Sequence, residues 1–314
     1  MQIIDGKALA KKVREEVKVK LQDDKFKSIP RPRLVVIQVG DNPASNTYIK
    51  NKKKACDEVG INVSYYHYRE DIPEDKLISV IEKLSLKPTV TGILVQLPLP
   101  KHINPQKVFE AIDPAKDVDG FTPVQAGMLQ LGIKDKRRLV PCTAKGIIRL
   151  LESVTTLEGK KVTVVGRSNI VGKPVAQLLQ EKNATVTLCH SKTNIRDLRK
   201  FTSNSDIVVL ATGQPKYFGA EFFSTLFNNH FMVNRIVIDA GINRDSNGKL
   251  CGDLDVENVK KLKNSKAIKY TPVPGGVGPM TVAELIENIY IAYENQFDFI
   301  WEYCKTRQIS ESKE

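Results

Sequence analysis

The chain has 314 residues, of which 41% are hydrophobic and 27% charged, with 19 Gly and 16 Pro; that composition suits a folded protein of about two domains and excludes collagen-like and low-complexity chains. The 48 Lys and Arg against 36 Asp and Glu leave a formal charge of +12, but the lysines sit in helix-like segments among Glu, with no base-stacking or zinc-finger motif, so a solvated basic surface is expected rather than nucleic-acid binding. No apolar run approaches 18 residues, the first residues turn charged at once, and the five cysteines are scattered without a CxxC pair, so the expectation is a cytoplasmic protein with no membrane span, disulfide framework or metal site.

Residues 5–22 read as an amphipathic helix. RLVVIQVG (33–40) is a short β-branched run of the kind that forms a buried parallel strand. ASNTYIKNKKKACDEVG (44–60) reads as a helix closed by Gly60, INVSYYHY (61–68) as a strand, and PEDKLISVIEKLS (73–85) as a helix. VTGILVQLPLP (90–100) is a further strand stopped by prolines. Alternation of this kind implies a parallel sheet with crossover helices. Residues 120–142 look irregular and mark a boundary.

A second series follows. CTAKGIIRLLESV (142–154) is a helix with Thr143 as its expected N-cap. Strands are expected at 160–166, 185–190, 205–212 and 235–241, and at 268–280 a strand running into a Gly/Pro loop. Residues 281–304 form a long final helix and 305–314 a polar, frayed tail. The fold class is therefore α/β in two parts: 1–141 together with 281–304, and 142–280.

Five segments carry candidate chemistry. VVGRSNIVGKPVAQLL (164–179) leaves a strand and enters a helix, which is where Rossmann-type domains bind pyrophosphate. Gly166, Ser168 and Gly172 are spaced GxSxxxG, not GxGxxG; a generic α/β turn is the alternative. The following strand ends in Cys189, His190, Ser191, Lys192 and Thr193. An NAD-type domain carries an acid there for the ribose hydroxyls, whereas this end offers hydroxyls, a lysine and nearby Arg167, which favours the 2′-phosphate of NADP. Tyr48 and Lys52 share a helix face at i and i+4; Lys52 is either a catalytic amine in a desolvated pocket or one more surface lysine. Gln96 lies at the C-terminal end of a parallel strand, where open sheets bind ligands. Asp119 precedes Gly120 in KDVDGF (116–121), by itself ordinary turn chemistry. TPVPGGVGPMT (271–281) is either a rigid connection or a backbone that approaches a ligand.

Taken in this order, GRSNIVGKP, QLPLP, KDVDGF and PVPGGVGPMT resemble the bifunctional methylenetetrahydrofolate dehydrogenase/methenyltetrahydrofolate cyclohydrolase family over residues 1–298. The resemblance implies two α/β domains with a cleft between them, the second a Rossmann-like NADP-binding domain, and a final helix that packs back on the first. It implies NADP-dependent oxidation of 5,10-methylenetetrahydrofolate, hydrolysis of the product to 10-formyltetrahydrofolate, and a cytosolic homodimer; a monofunctional dehydrogenase of the same fold is the alternative. Tetrahydrofolate derivatives, polyglutamylated ones among them, are the implied partners, with neither nucleic acid nor membrane. Lys52 resembles the catalytic lysine, Tyr48 its positioning partner and Gln96 the glutamine that contacts it. Asp119 resembles the carboxylate that holds the pterin, and Gly275, Gly276 and Val277 the loop along the folate. Gly166, Arg167, Ser168, Ile170, Gly172, Ser191 and Ile242 resemble cofactor contacts. Thr122 and Gln125 stand where many members carry His and Asn, and Ala144 where Pro is commoner.

Overall fold

In a computed structural model of the chain, residues 1–27, 29–223 and 235–311 are described. The apolar, β-branched runs form parallel strands, and the amphipathic segments between them form the crossovers. In chain order the elements are β1 (Gln2–Ile3), α1 (Gly6–Lys20), β2 (Arg33–Val39), α2 (Pro43–Val59), β3 (Asn62–Tyr68), α3 (Glu74–Ser85), β4 (Gly92–Val95), α4 (Pro105–Glu110) and α5 (Pro123–Gln130). They continue with α6 (Cys142–Glu152), β5 (Lys161–Val165), α7 (Gly172–Glu181), β6 (Thr185–Cys189), α8 (Ile195–Ser203), β7 (Ile207–Leu210), β8 (Ile236–Asp239) and β9 (Asn243–Arg244). The last are β10 (Leu250–Cys251), α9 (Val256–Val259), β11 (Lys269–Tyr270) and α10 (Val277–Glu311).

The chain divides into two compact units, Val13–Val140 with Leu285–Glu314, and Met1–Lys12 with Pro141–Glu284. The first unit holds a three-stranded parallel sheet of order β3-β2-β4. Val35, Ile37, Ile93 and Val95 bury one face of it against Leu77, Ile81 and Leu84 of α3 and Val108 of α4. The last helix belongs to this body from Leu285 onward. There the Tyr293 hydroxyl donates to the Pro30 carbonyl at 2.8 Å, Gln296 Nε2 donates to the Thr91 carbonyl at 2.9 Å, and the rings of Tyr290 and Tyr293 pack on Phe26.

The second unit holds a six-stranded parallel sheet of order β1-β11-β8-β7-β5-β6, with Val165, Val208, Leu210 and Val237 in its core. Residues 1–12, expected with the first body, belong here because β1 pairs with β11, Gln2 opposite Lys269. No sequence periodicity can announce a two-residue strand.

Several expectations need correction. Pro141, not Thr143, occupies the N-cap of α6; Thr143 lies inside the helix, and its hydroxyl meets that of Thr281 at 3.2 Å. The strand expected over 90–100 ends at Val95, and the Leu97–Pro98 peptide beyond it is cis. The irregular stretch contains α5, for which Thr122 Oγ1 accepts the Gln125 N–H. The small β9–β10 hairpin was not expected. The final helix starts at Val277, ahead of the expected 281, and continues to Glu311 through most of the expected tail; residues 312–314 of that tail lie outside the described residues. Among the described residues, no helix is long and apolar enough to cross a membrane.

Candidate active site

In the first unit α2 crosses from β2 to β3, and β4 lies on the other side of β2. Gln96 follows β4 directly, its N–H bonded to the Ile37 carbonyl of β2 at 2.8 Å. Lys52, on α2, is buried, and its Nζ donates to Gln96 Oε1 at 3.1 Å. Gln96 Nε2 donates to the Leu97 carbonyl at 2.7 Å. That second bond fixes which end of the amide faces Lys52, so the amine meets a neutral acceptor. Among the described residues no carboxylate pairs with the Lys52 side chain. The Ser45 hydroxyl also donates to the Leu97 carbonyl, at 3.3 Å, and ties the start of α2 to the same loop.

Tyr48, one turn before Lys52, is half-buried, and burial pushes its phenol above the usual value, so it remains an O–H donor at neutral pH. Cys56, one turn after Lys52, is fully buried; burial pushes its thiol up to about 12, and no thiolate nucleophile is present there. Asp119 is half-buried in the turn closed by Gly120, whose φ of +72° suits glycine. Its neighbour Asp117 is buried and accepts the N–H groups of Gly120 at 2.9 Å and Thr122 at 2.7 Å. Gln125 is buried too; it donates to the Pro114 and Arg137 carbonyls and accepts from Leu139 N–H, a structural role that needs neither charge nor ring.

The remaining expected site residues lie in the second unit. Gly166 follows β5 with φ +127°, and a Cβ there would come 2.2 Å from the Ala211 carbonyl oxygen. A Cβ on Gly172, which opens α7, would come 1.9 Å from the Gly166 carbonyl oxygen. Both glycines are therefore dictated by close backbone approach. The Ser168 hydroxyl accepts the Val171 N–H at 3.1 Å, so its own proton is left to donate outward. Arg167, Ser168 and Ser191 are exposed and Ile170 is half-buried. Ile242 is 49% exposed after β8, between Gly241, whose N–H binds Asp239 at 2.9 Å, and Asn243, whose amide binds Asp253 at 2.8 Å. Gly275 has φ +115° and follows a cis Val273–Pro274 peptide. Gly276 N–H closes on the Pro272 carbonyl at 2.8 Å. Val277 is buried as the first residue of α10, not exposed in a loop.

A strand-to-helix turn whose glycines leave no room for a Cβ, with hydroxyl and cationic side chains at the sheet edge, fits a dinucleotide bearing a 2′-phosphate. Sequence reasoning passed over Ser45, Asp117, Asp239 and Asp253. Asp117 lies inside KDVDGF, while Asp253 carries no local signal: its carboxylate collects the N–H groups of Thr212, Gly213 and Gln214 and so shapes the loop after β7. Asp239 accepts from Gly241, Asp253 and Leu254 N–H, yet burial pushes its carboxyl up to about 6. A carboxyl raised above its unfolded value near 4 contributes stability that is complete below about pH 4 and lost as pH rises through 6. Asp239→Asn is therefore expected to flatten the stability loss between pH 4.5 and 7 by on the order of 2–3 kcal/mol, read by urea denaturation at both pH values. An unchanged slope would show that Asp239 carries no raised proton affinity.

Two family models match the chain. The catalytic domain of tetrahydrofolate dehydrogenase/cyclohydrolase matches residues 4–119, and its NAD(P)-binding domain matches residues 141–297. The bifunctional protein FolD of Agathobacter rectalis is 47% identical over 287 residues, 91% of this chain and 96% of that protein. The crystal structure of the bifunctional FolD dehydrogenase/cyclohydrolase from Campylobacter jejuni is 44% identical, covers 94% of this chain and 99% of its own, and has a TM-score of 0.85. The Trypanosoma brucei dehydrogenase-cyclohydrolase, solved with NADP and an inhibitor, is 33% identical, covers 93% and 97%, and has a TM-score of 0.82.

Proposed function

The chain belongs to the tetrahydrofolate dehydrogenase/cyclohydrolase family, and from that premise we propose that it oxidises 5,10-methylenetetrahydrofolate with NADP⁺ and hydrolyses the methenyl product to 10-formyltetrahydrofolate. The observation that carries the second activity is the buried Lys52 amine held on a neutral amide at 3.1 Å. The Gln96 amide orients the Lys52 Nζ through a hydrogen bond without placing a charge beside it. Lys52 Nζ can then take a proton from water and return it to the departing folate nitrogen. Tyr48, a protonated phenol, lines the same helix face and orients the substrate beside the amine.

NADP⁺, when bound, supplies the hydride acceptor. The chain's part in that step is placement: the Gly166–Gly172 turn receives the pyrophosphate, Arg167 and Ser191 take the 2′-phosphate, Ile170 and Ile242 give apolar contact, and Asp119 holds the folate. The two nitrogens flanking the methylene carbon stabilise the cation that hydride loss leaves, so no protein base is needed. The body carrying Lys52 acts as the folate-binding domain and the body carrying Gly166 as the NADP-binding domain. The enzyme works as a homodimer in the cytoplasm and provides 10-formyltetrahydrofolate for purine biosynthesis; the charge of +12 suits the polyanions NADP and polyglutamyl folate.

The test is spectrophotometric: methylenetetrahydrofolate oxidation with NADP⁺ and NAD⁺ side by side, followed by decay of the methenyl absorbance. Oxidation and accelerated decay together are expected. Oxidation with decay at the uncatalysed rate would make the chain a monofunctional dehydrogenase.

A further inference from the structure

Resting on the folate-holding role given above to Asp119, we propose that Asp117 and Asn288 are positioning residues that fix the Asp119 carboxylate for the substrate. Two peptide planes meet at the Asp119 Cα, and each is tied down by a buried side chain. The plane before it carries the Val118 carbonyl, which accepts Asn288 Nδ2 at 2.9 Å. The plane after it carries the Gly120 N–H, which donates to Asp117 Oδ1 at 2.9 Å and to the Asp117 carbonyl at 3.1 Å. Tying both planes fixes φ and ψ of Asp119, and with them the direction of its Cα–Cβ bond.

The supports are themselves rigid. Asn288 is fully buried on α10 and also donates to the Val140 carbonyl at 2.9 Å. Asp117 is 1% exposed, accepts the Thr122 N–H at 2.7 Å, and makes a parallel bridge to Ile93 at the edge of β4. Val118 is fully buried over Gly92, where a Cβ would come 2.4 Å from Val118 Cγ1. The turn is thus seated on the sheet from below while its two polar neighbours hold it from either side. Asp119 alone of Asp117–Gly120 keeps a half-buried side chain, the others being buried. That geometry suits a carboxylate that must meet a ring with little freedom, because interactions misplaced by an ångström lose much of their worth.

The test compares Asn288→Ala, Asn288→Ser, Asp117→Asn, Asp119→Ala and the double variant Asn288→Ala/Asp119→Ala in the full chain. The readouts are KM and kcat for methylenetetrahydrofolate, KM for NADP⁺, and calorimetric Kd for tetrahydrofolate. Asn288→Ala is expected to raise the folate KM and the tetrahydrofolate Kd about tenfold, the scale of one or two lost buried hydrogen bonds. The NADP⁺ KM should change less than about twofold, because the partners lost lie in the folate body. Added to Asp119→Ala, the same change should cost under about twofold, since the group it positions is already gone. Asn288→Ser, which keeps one donor, should fall between, and with Asp117→Asn it stands in if the alanine variant does not fold. Full multiplication of the two losses, an equal rise in both KM values, or an unchanged folate Kd would overturn the proposal. Should Asp119→Ala alone leave folate binding intact, the role of Asp119 itself is wrong, and that single variant reveals it.

Discussion

Lys52→Met is expected to lower cyclohydrolase activity by roughly 10²–10⁴-fold, the usual contribution of a positioned acid–base group. Methionine keeps an unbranched stem of similar reach in the buried space between α2 and Gln96 but has no proton to move. Gln96 then loses the donor to its Oε1, while its Nε2 bond to the Leu97 carbonyl remains, so the loop after β4 should keep its shape. Hydride transfer needs no proton removed by the protein, so NADPH formation should persist in part. The measurement is methenyltetrahydrofolate decay above the uncatalysed rate beside NADPH formation, on purified folded protein. Cyclohydrolase activity near wild type would return Lys52 to the status of Lys50, Lys53 and Lys54, exposed lysines on the same helix. Equal loss of both activities would make Lys52 a shared binding residue and leave no acid–base role for it.

Much of this molecule is legible in its sequence because parallel strands buried on both faces leave a plain signature. Val35, Ile37, Val162, Val164, Val208 and Ile238 all stand in short β-branched runs, and all are core residues of paired parallel strands. Gly60 and Gly120 announce their turns because only a positive φ completes them. What the chain conceals depends on partners distant in sequence. β1 is two residues long and exists because β11, more than 260 residues away, offers an edge. Asn288 serves carbonyls at 118 and 140 from a helix whose local pattern says only that it is long and helical. Asp117 and Asp119 are indistinguishable as letters in KDVDGF; one is buried against backbone N–H groups and the other faces outward in part, a difference set by the register of the turn on β4. Thr143 shows the opposite failure: a good capping residue by type sits two places too far along, inside the helix, because Pro141 already supplies the extended entry.

NADP⁺ preference is expected to rest on Arg167 and Ser191, and the sheet register explains why those two act together. Val165 pairs with Cys189 across the parallel β5–β6 ladder, and Gly166 N–H then reaches the Cys189 carbonyl at 2.9 Å. Counting two residues onward on each chain brings Arg167 and Ser191 out at the same edge, and both are exposed. No acid stands at the end of β6 to hold a ribose 2′-hydroxyl; His190 N–H is taken by Thr193 Oγ1 at 2.9 Å, which shapes the turn that presents Ser191 and Lys192. Arg167→Gln should raise the Michaelis constant for NADP⁺ roughly 10–150-fold, the worth of a charge-assisted contact of about 1.5–3 kcal/mol, with that for NAD⁺ changing little. Ser191→Asp should go further on the same axis: its carboxylate repels the 2′-phosphate and accepts from the two hydroxyls of an NAD ribose, so the ratio of kcat/KM for the two cofactors should move toward NAD⁺. Raised salt should weaken wild-type NADP⁺ binding more than NAD⁺ binding, because the exposed contact is screened. Wild-type enzyme that uses both cofactors equally, or an Arg167→Gln variant that loses both alike, would place phosphate recognition elsewhere on the sheet edge.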